Sequence, residues 1–150
     1  MEKEFDIVVS KMTAKDVPFV ALIEKECFST PWSENSLLES LETEGSLFLC
    51  ARLNGNIIGY IGATIVLDEA YVSNIAVTEN MRRMGAATQL LCECESICRE
   101  KGCAFLTLEV RKSNSGAVAL YQKKGFHIVG ERKNFYSDPC ENALLMTKYF

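Results

Sequence analysis

Residues 70–91 read AYVSNIAVTENMRRMGAATQLL, and the join inside this stretch decides the fold. Ala70 to Val77 is expected to be a strand, and a long helix is expected to follow from Arg83 to Lys101. In that helix Ala87, Leu90, Leu91, Cys94, Ile97 and Cys98 fall at i, i+3, i+4, i+7, i+10 and i+11, one apolar stripe closed by Gly102. Working backwards, Leu47 to Ala51 and Ile57 to Leu67 flank Asn54-Gly55, a pair favoured in type I′ turns. Three antiparallel strands are therefore laid down before any long helix intervenes. Earlier still, Phe5 to Ser10 can open a sheet, and Thr13-x-x-Asp16 starts a helix as a capping box with Asp in place of Glu. Val17, Val20, Ala21, Ile23 and Glu24 carry that helix towards Phe28, Ser29-Thr30-Pro31 stops it, and Ser33 to Leu41 forms a second short helix. Downstream, Leu106, Leu108 and Val110 alternate with Thr107 and Glu109 in a strand, and Ser113 to Lys124 is a helix ended by Gly125. Two last strands surround His127 to Phe135 and Ala143 to Lys148. The order β-α-α-β-β-β-α-β-α-β-β predicts a mixed α/β fold, a mostly antiparallel sheet flanked by helices, in a single domain over residues 1–150.

The composition narrows what such a domain can do. At 150 residues with 48% hydrophobic and 24% charged side chains, one compact core is expected. Lys plus Arg number 16 against 20 Asp plus Glu, a formal net charge of −4, which argues against nucleic acid as a direct partner. No apolar stretch approaches the roughly 18 residues that span a bilayer, and Met-Glu-Lys-Glu-Phe-Asp does not begin as a secretory signal does. A cytoplasmic protein without a membrane partner is expected. Seven cysteines are an odd number with no export signal before them, so they are expected to be thiols. Cys92, Cys94, Cys98 and Cys103 lack paired zinc-ligand spacing. On a helix Cys92 and Cys94 lie about 160° apart, so metal is not expected and Cys92 should face solvent.

Three features can carry chemistry. In Arg82-Arg83-Met84-Gly85-Ala86-Ala87 two cations and small residues are expected in the first turn of a helix, whose free N–H groups and dipole favour a phosphate. The spacing matches neither a dinucleotide fingerprint nor a P-loop. Glu109 is a carboxylate near the end of an apolar strand, either a solvated strand end or a functional acid. Asn114 and Tyr121 are seven residues apart, two helical turns, so on one helix they would share a face roughly 10 Å apart. Read alone, Tyr121 fits a core tyrosine with its hydroxyl at the surface better than a ligand contact. His127, the only histidine, has no acid or nucleophile recognisable around it.

The element order and these motifs resemble the GNAT family of acetyl-coenzyme A-dependent N-acetyltransferases over nearly the whole chain. The family's phosphate loop is Gln or Arg, two residues, Gly, one residue, then Gly or Ala, and Arg82, Gly85 and Ala87 match it. Phe28, Pro31-Trp32-Ser33-Glu34, Val66-Leu67-Asp68-Glu69-Ala70, Asn74-Ile75-Ala76-Val77, Leu108-Glu109-Val110-Arg111, Ser113-Asn114 and Ala119-Leu120-Tyr121 resemble one type within it. That type acetylates the N-terminal alanine of a small-subunit ribosomal protein. The resemblance implies acetyl-coenzyme A as co-substrate, with pantetheine against Ile75, Ala76 and Val77. It implies the pyrophosphate on Arg83, Met84, Gly85, Ala86, Ala87 and Thr88 beside Arg82, and Asn114 holding the cofactor. Glu109 would be the general base and Tyr121 the general acid for direct attack by an N-terminal amine, without metal. On the acceptor side Trp32 is expected to line the peptide groove or anchor the core beneath its loop. Asp68 and Glu69 are expected near the peptide entrance, favouring the N-terminal peptide of a basic protein. Tyr136, in Lys133-Asn134-Phe135-Tyr136, stands where the type often shows two adjacent tyrosines. An acetyltransferase of another peptide or small amine, and a non-catalytic acyl-coenzyme A sensor, share the same fold.

Overall fold

A computed structural model describes residues 6–150, so the Phe5 end of the expected first strand lies outside the described residues. The elements run β1 (Ile7–Lys11), α1 (Val17–Cys27), α2 (Glu34–Glu42), β2 (Ser46–Leu53), β3 (Asn56–Val66), β4 (Glu69–Val77), α3 (Ala86–Glu100), β5 (Phe105–Arg111), α4 (Ser115–Lys123), β6 (His127–Tyr136) and β7 (Glu141–Tyr149). This is the mixed α/β order expected from the sequence, with two 3-10 turns, Ala14–Asp16 and Glu79–Met81, added before α1 and α3. The seven strands lie in the order β1-β2-β3-β4-β5-β7-β6.

Local chemistry sets the boundaries. Thr13 and Asp16 form the capping box, the Thr13 N–H donating to Asp16 Oδ2 at 2.8 Å, and Arg52 from β2 grips the same carboxylate at 2.8 Å. Asn54 and Gly55 both take positive φ, 52° and 84°, as a type I′ hairpin turn requires. Two helix starts come later than the sequence pattern suggested. Arg83 (φ 69°) and Gly85 (φ 87°) are left-handed, so α3 begins at Ala86 and the two arginines sit in the loop before it. Asn114 is the N-cap of α4, its side chain accepting from Ala117 N at 3.2 Å.

Successive strand residues face opposite cores. Leu49, Ile61, Leu106 and Met146 pack with Leu90, Leu91, Cys94 and Cys98 of α3. Phe48, Cys50, Tyr60 and Ala76 pack with Val17, Val20 and Ala21 of α1 and Leu37 of α2. Cys94, Cys98 and Cys103 are buried, and Cys92 is exposed as expected.

The sheet forks in its middle. β4 pairs with β5 in parallel only over residues 69–71 against 105–107, whereas the other paired strands run antiparallel. Gly62 faces Asn74 while Ala63 faces Val72, leaving Ser73 as an extra residue on β4. Such a bulge bends its strand, and the Ser73 hydroxyl pins this one by donating to Gly62 O at 3.1 Å. Gly62 is glycine for a nearby reason: a Cβ there would sit 2.4 Å from the Phe48 ring. Beyond the bulge β4 and β5 diverge, and their facing edges open into a cleft.

Candidate active site

Two connected grooves occupy the fork. One, of about 530 Å³, runs along Ile75, Ala76 and Val77 to Arg82, Arg83 and the start of α3. The other, of about 660 Å³, lies between Ser29, Thr30 and Trp32 on one side and Phe135, Tyr136 and the β6–β7 loop on the other, with Glu109 in its wall. Cys27, Phe28, Ile75, Asn114, Ala117 and Tyr121 line both and mark the junction.

The first groove ends at a helix start with free N–H groups. Gly85 takes the N-cap position of α3 with no side-chain cap, and the helix ladder begins with Gln89 N donating to Gly85 O at 2.9 Å. The N–H groups of Ala86, Ala87 and Thr88 therefore precede the ladder, at the positive end of a 15-residue helix. A Cβ on Gly85 would meet nothing within 4 Å, so the backbone borders open groove. Arg82 is anchored, its Nε donating to Val77 O at 2.9 Å and an Nη to Cys27 Sγ at 3.4 Å, while Arg83 is exposed. These features fit a diphosphate at one end and a flexible arm along the open edge of β4. All the expected cofactor residues line this groove except Met84, whose side chain packs against the core beneath α3.

At the junction, Tyr121 is 6% exposed and held against Phe126. Burial, and secondly the nearby Tyr136 hydroxyl, push its pKa up to about 12, so it stays protonated at neutral pH. Glu109 accepts from the Tyr71 hydroxyl and pairs with Arg132 Nε at 2.5 Å. Burial, and secondly the Glu109 hydrogen bond, raise Tyr71 so that it too remains the donor. Glu109 is therefore a partnered carboxylate facing the groove, not a solvated strand end.

The acceptor-side expectations fare unequally. Tyr136 lines the second groove, with the Arg111 guanidinium 4.5 Å from its ring centre. Arg111 also donates to Pro139 O at 3.0 Å and pairs with Glu141 at 3.2 Å, tying the β6–β7 loop to β5. Trp32 lines the second groove, and its ring lies 6.4 Å from that of Phe48 in the core. Asp68 and Glu69 are displaced from the expected entrance. They lie on the paired side of the fork, where Ala104 N donates to Asp68 O at 2.7 Å and Glu69 registers with Phe105, and neither lines a groove. Asn114 and Tyr121 share the junction, but not as two positions of one helix, because Asn114 is the N-cap of α4 with a non-helical ψ of 73°.

The acetyltransferase (GNAT) family model matches residues 17–126, most of the described chain and all of the fork's inner strands. The chain belongs to the GNAT family. Among GNAT proteins it is similar to the [ribosomal protein bS18]-alanine N-acetyltransferase of Haemophilus influenzae, 37% identical over 147 residues, covering 95% of this chain and 98% of the relative. Among solved GNAT structures, the ribosomal-protein-S18-alanine N-acetyltransferase from Escherichia coli superposes with a TM-score of 0.89 at 33% identity, covering 96% of this chain and 94% of that one. A GNAT acetyltransferase from Elizabethkingia anophelis, solved with acetyl-CoA bound, gives a TM-score of 0.79 at 25% identity over 99% of this chain and all of that one.

Four residues of this GNAT fork escaped the sequence as site members. Tyr71 and Arg132 reach Glu109 from β4 and β6, and no local spacing announces such long-range neighbours. Arg111 stood inside a quoted motif with no role attached. Glu24 left a legible trace: a carboxylate on the apolar stripe of α1, seven residues after Val17, where it is completely buried.

Proposed function

We propose that this GNAT chain transfers acetyl from acetyl-coenzyme A to the N-terminal α-amine of a protein, with the alanine-initial end of a basic small-subunit ribosomal protein as acceptor. The observation that carries it is the junction: a protonated, buried Tyr121 borders both grooves, and Glu109 stands in the wall of the second. The names of the relatives support the acceptor class.

Acetyl-coenzyme A supplies the activated acetyl thioester. Ala86, Ala87 and Thr88 offer backbone N–H groups for its diphosphate, with Arg82 and Arg83 beside them, and the open edge of β4 receives its arm. An α-amine, with pKa of roughly 7.7–8.0, enters mostly protonated at pH 7, and Glu109 takes the proton directly or through water. Tyr121 offers its O–H where a departing sulfur needs a proton, and a backbone N–H of residues 75–77 serves the oxyanion. Preference for a basic acceptor, first expected from Asp68 and Glu69, rests instead on the second groove's own charges, where Arg132 pairs with Glu109 and Arg111 with Glu141, and the Asp138 carboxylate is left over.

Incubation of the protein and acetyl-coenzyme A with purified small-subunit ribosomal proteins, read by mass spectrometry, tests the reading. One added acetyl on the alanine-initial protein is expected. Modification of lysine side chains alone, or of none, would overturn it.

A further inference from the structure

Glu24 takes no part in the proton transfers assigned above, yet it is 0% exposed and accepts three hydrogen bonds from three separate segments. Tyr60 of β3 donates its hydroxyl to Oε2 at 2.5 Å, Asn74 of β4 donates Nδ2 to the same oxygen at 2.8 Å, and the backbone N–H of Trp32 donates to Oε1 at 2.8 Å. Asn74 is the first residue past the bulge, next to Ile75 at the junction, and both Asn74 and Trp32 line the second groove. Trp32 lies in the connection between α1 and α2, where no sheet or helix ladder would otherwise hold its N–H. A buried carboxylate is costly without partners, and these donors satisfy it only in one arrangement of the segments.

We infer that Glu24 is a positioning residue of the acceptor groove, joining the Trp32 loop to the splayed part of β4 so that both walls hold one spacing for the incoming amine. The inference rests on the acceptor reading above, and it has a readout that does not. Trp32 is the only tryptophan in the chain, so its fluorescence reports the loop directly.

Two variants separate positioning from mere bulk. Glu24→Met keeps the volume and removes every acceptor. Glu24→Gln keeps one acceptor for the Trp32 N–H and turns a donor towards Tyr60 Oη and, once its amide is reversed, Asn74 Oδ1. In folded Glu24→Met, Trp32 should be quenched more readily by acrylamide, and KM for an alanine-initial peptide should rise about tenfold, the scale of one buried hydrogen bond lost. Affinity for acetyl-coenzyme A should stay within about twofold and kcat within about threefold, because Glu109 and Tyr121 are untouched. Glu24→Gln should restore most of both properties. In the wild-type protein, the Trp32 amide should exchange with deuterium far more slowly than neighbouring loop amides. That measurement still decides the matter if Glu24→Met fails to fold. Fast exchange at Trp32, or unchanged quenching and peptide KM in folded Glu24→Met, would overturn the inference. Absence of any peptide acetylation by the wild type would instead overturn the acceptor reading, leaving exchange and quenching to judge the loop.

Discussion

In the proposed reaction Tyr121 is the acid and Glu109 the base, and each assignment has its own signature. Tyr121 borders both grooves with a hydroxyl that stays protonated, so Tyr121→Phe should lower kcat by roughly 10²–10⁴ while acetyl-coenzyme A affinity, read by calorimetry, barely changes. Unaltered turnover would return Tyr121 to a packing role against Phe126. Glu109→Gln keeps the shape and removes the base. Its defect in kcat/KM should be large near pH 7 and smaller near pH 9, because the acceptor amine deprotonates by itself above roughly pH 8. A defect equal at every pH would mark Glu109 as orienting the substrate. Both residues were legible in the sequence because each broke a local pattern or matched a family motif. The partners of Glu109, Tyr71 and Arg132, were not, since an exposed tyrosine or arginine on a strand looks ordinary until the strand order brings β4 and β6 to opposite sides of β5.

At the scale of elements, the start of α3 and the start of α1 each turn on a few residues. Gly85 holds φ 87° with open groove beside it, so Gly85→Val strains a left-handed position and thrusts a branched side chain towards the diphosphate. Acetyl-coenzyme A affinity should fall by at least about tenfold with the circular dichroism spectrum kept, an energy of only about 1.4 kcal/mol. The sequence pattern put Arg82 to Ala87 inside the helix, whereas α3 starts at Ala86 and the arginines stand in the loop before it. The left-handed turns at Arg83 and Gly85, which aim the loop, leave no mark in apolar periodicity. Asp16 links the capping box to Arg52, and the Arg52 hydrogen bond chiefly holds its pKa below the usual carboxylate value of 3.8. The native state therefore binds this proton less readily than the unfolded chain, so the stabilisation is present above pH 3.8 and fades as pH falls through the lowered value. Asp16→Asn should cost about 1–3 kcal/mol at pH 7 in urea unfolding, and the difference from wild type should shrink towards pH 3.

For the molecule as a whole, the function follows from one sheet that is joined at one end of β4 and β5 and open at the other. Periodicity, the Asn54-Gly55 turn and the capping box sufficed to order the elements. The fork itself was not legible, because the bulge at Ser73 is a matter of register between β3 and β4. For the same reason Asp68 and Glu69, close in sequence to the β4 site residues, stand on the paired side of the fork. In the proposed reaction the fork brings an acyl donor and an N-terminal amine to the same junction, and one comparison tests that directly. Two alanine-initial peptides carrying an internal lysine, identical except that one has a blocked N-terminus, are incubated with the protein and acetyl-coenzyme A, and initial rates are followed by intact mass. The free peptide should gain a single acetyl group at its α-amine and the blocked peptide none. Equal acetylation of both peptides, placing the group on lysine, would contradict the account.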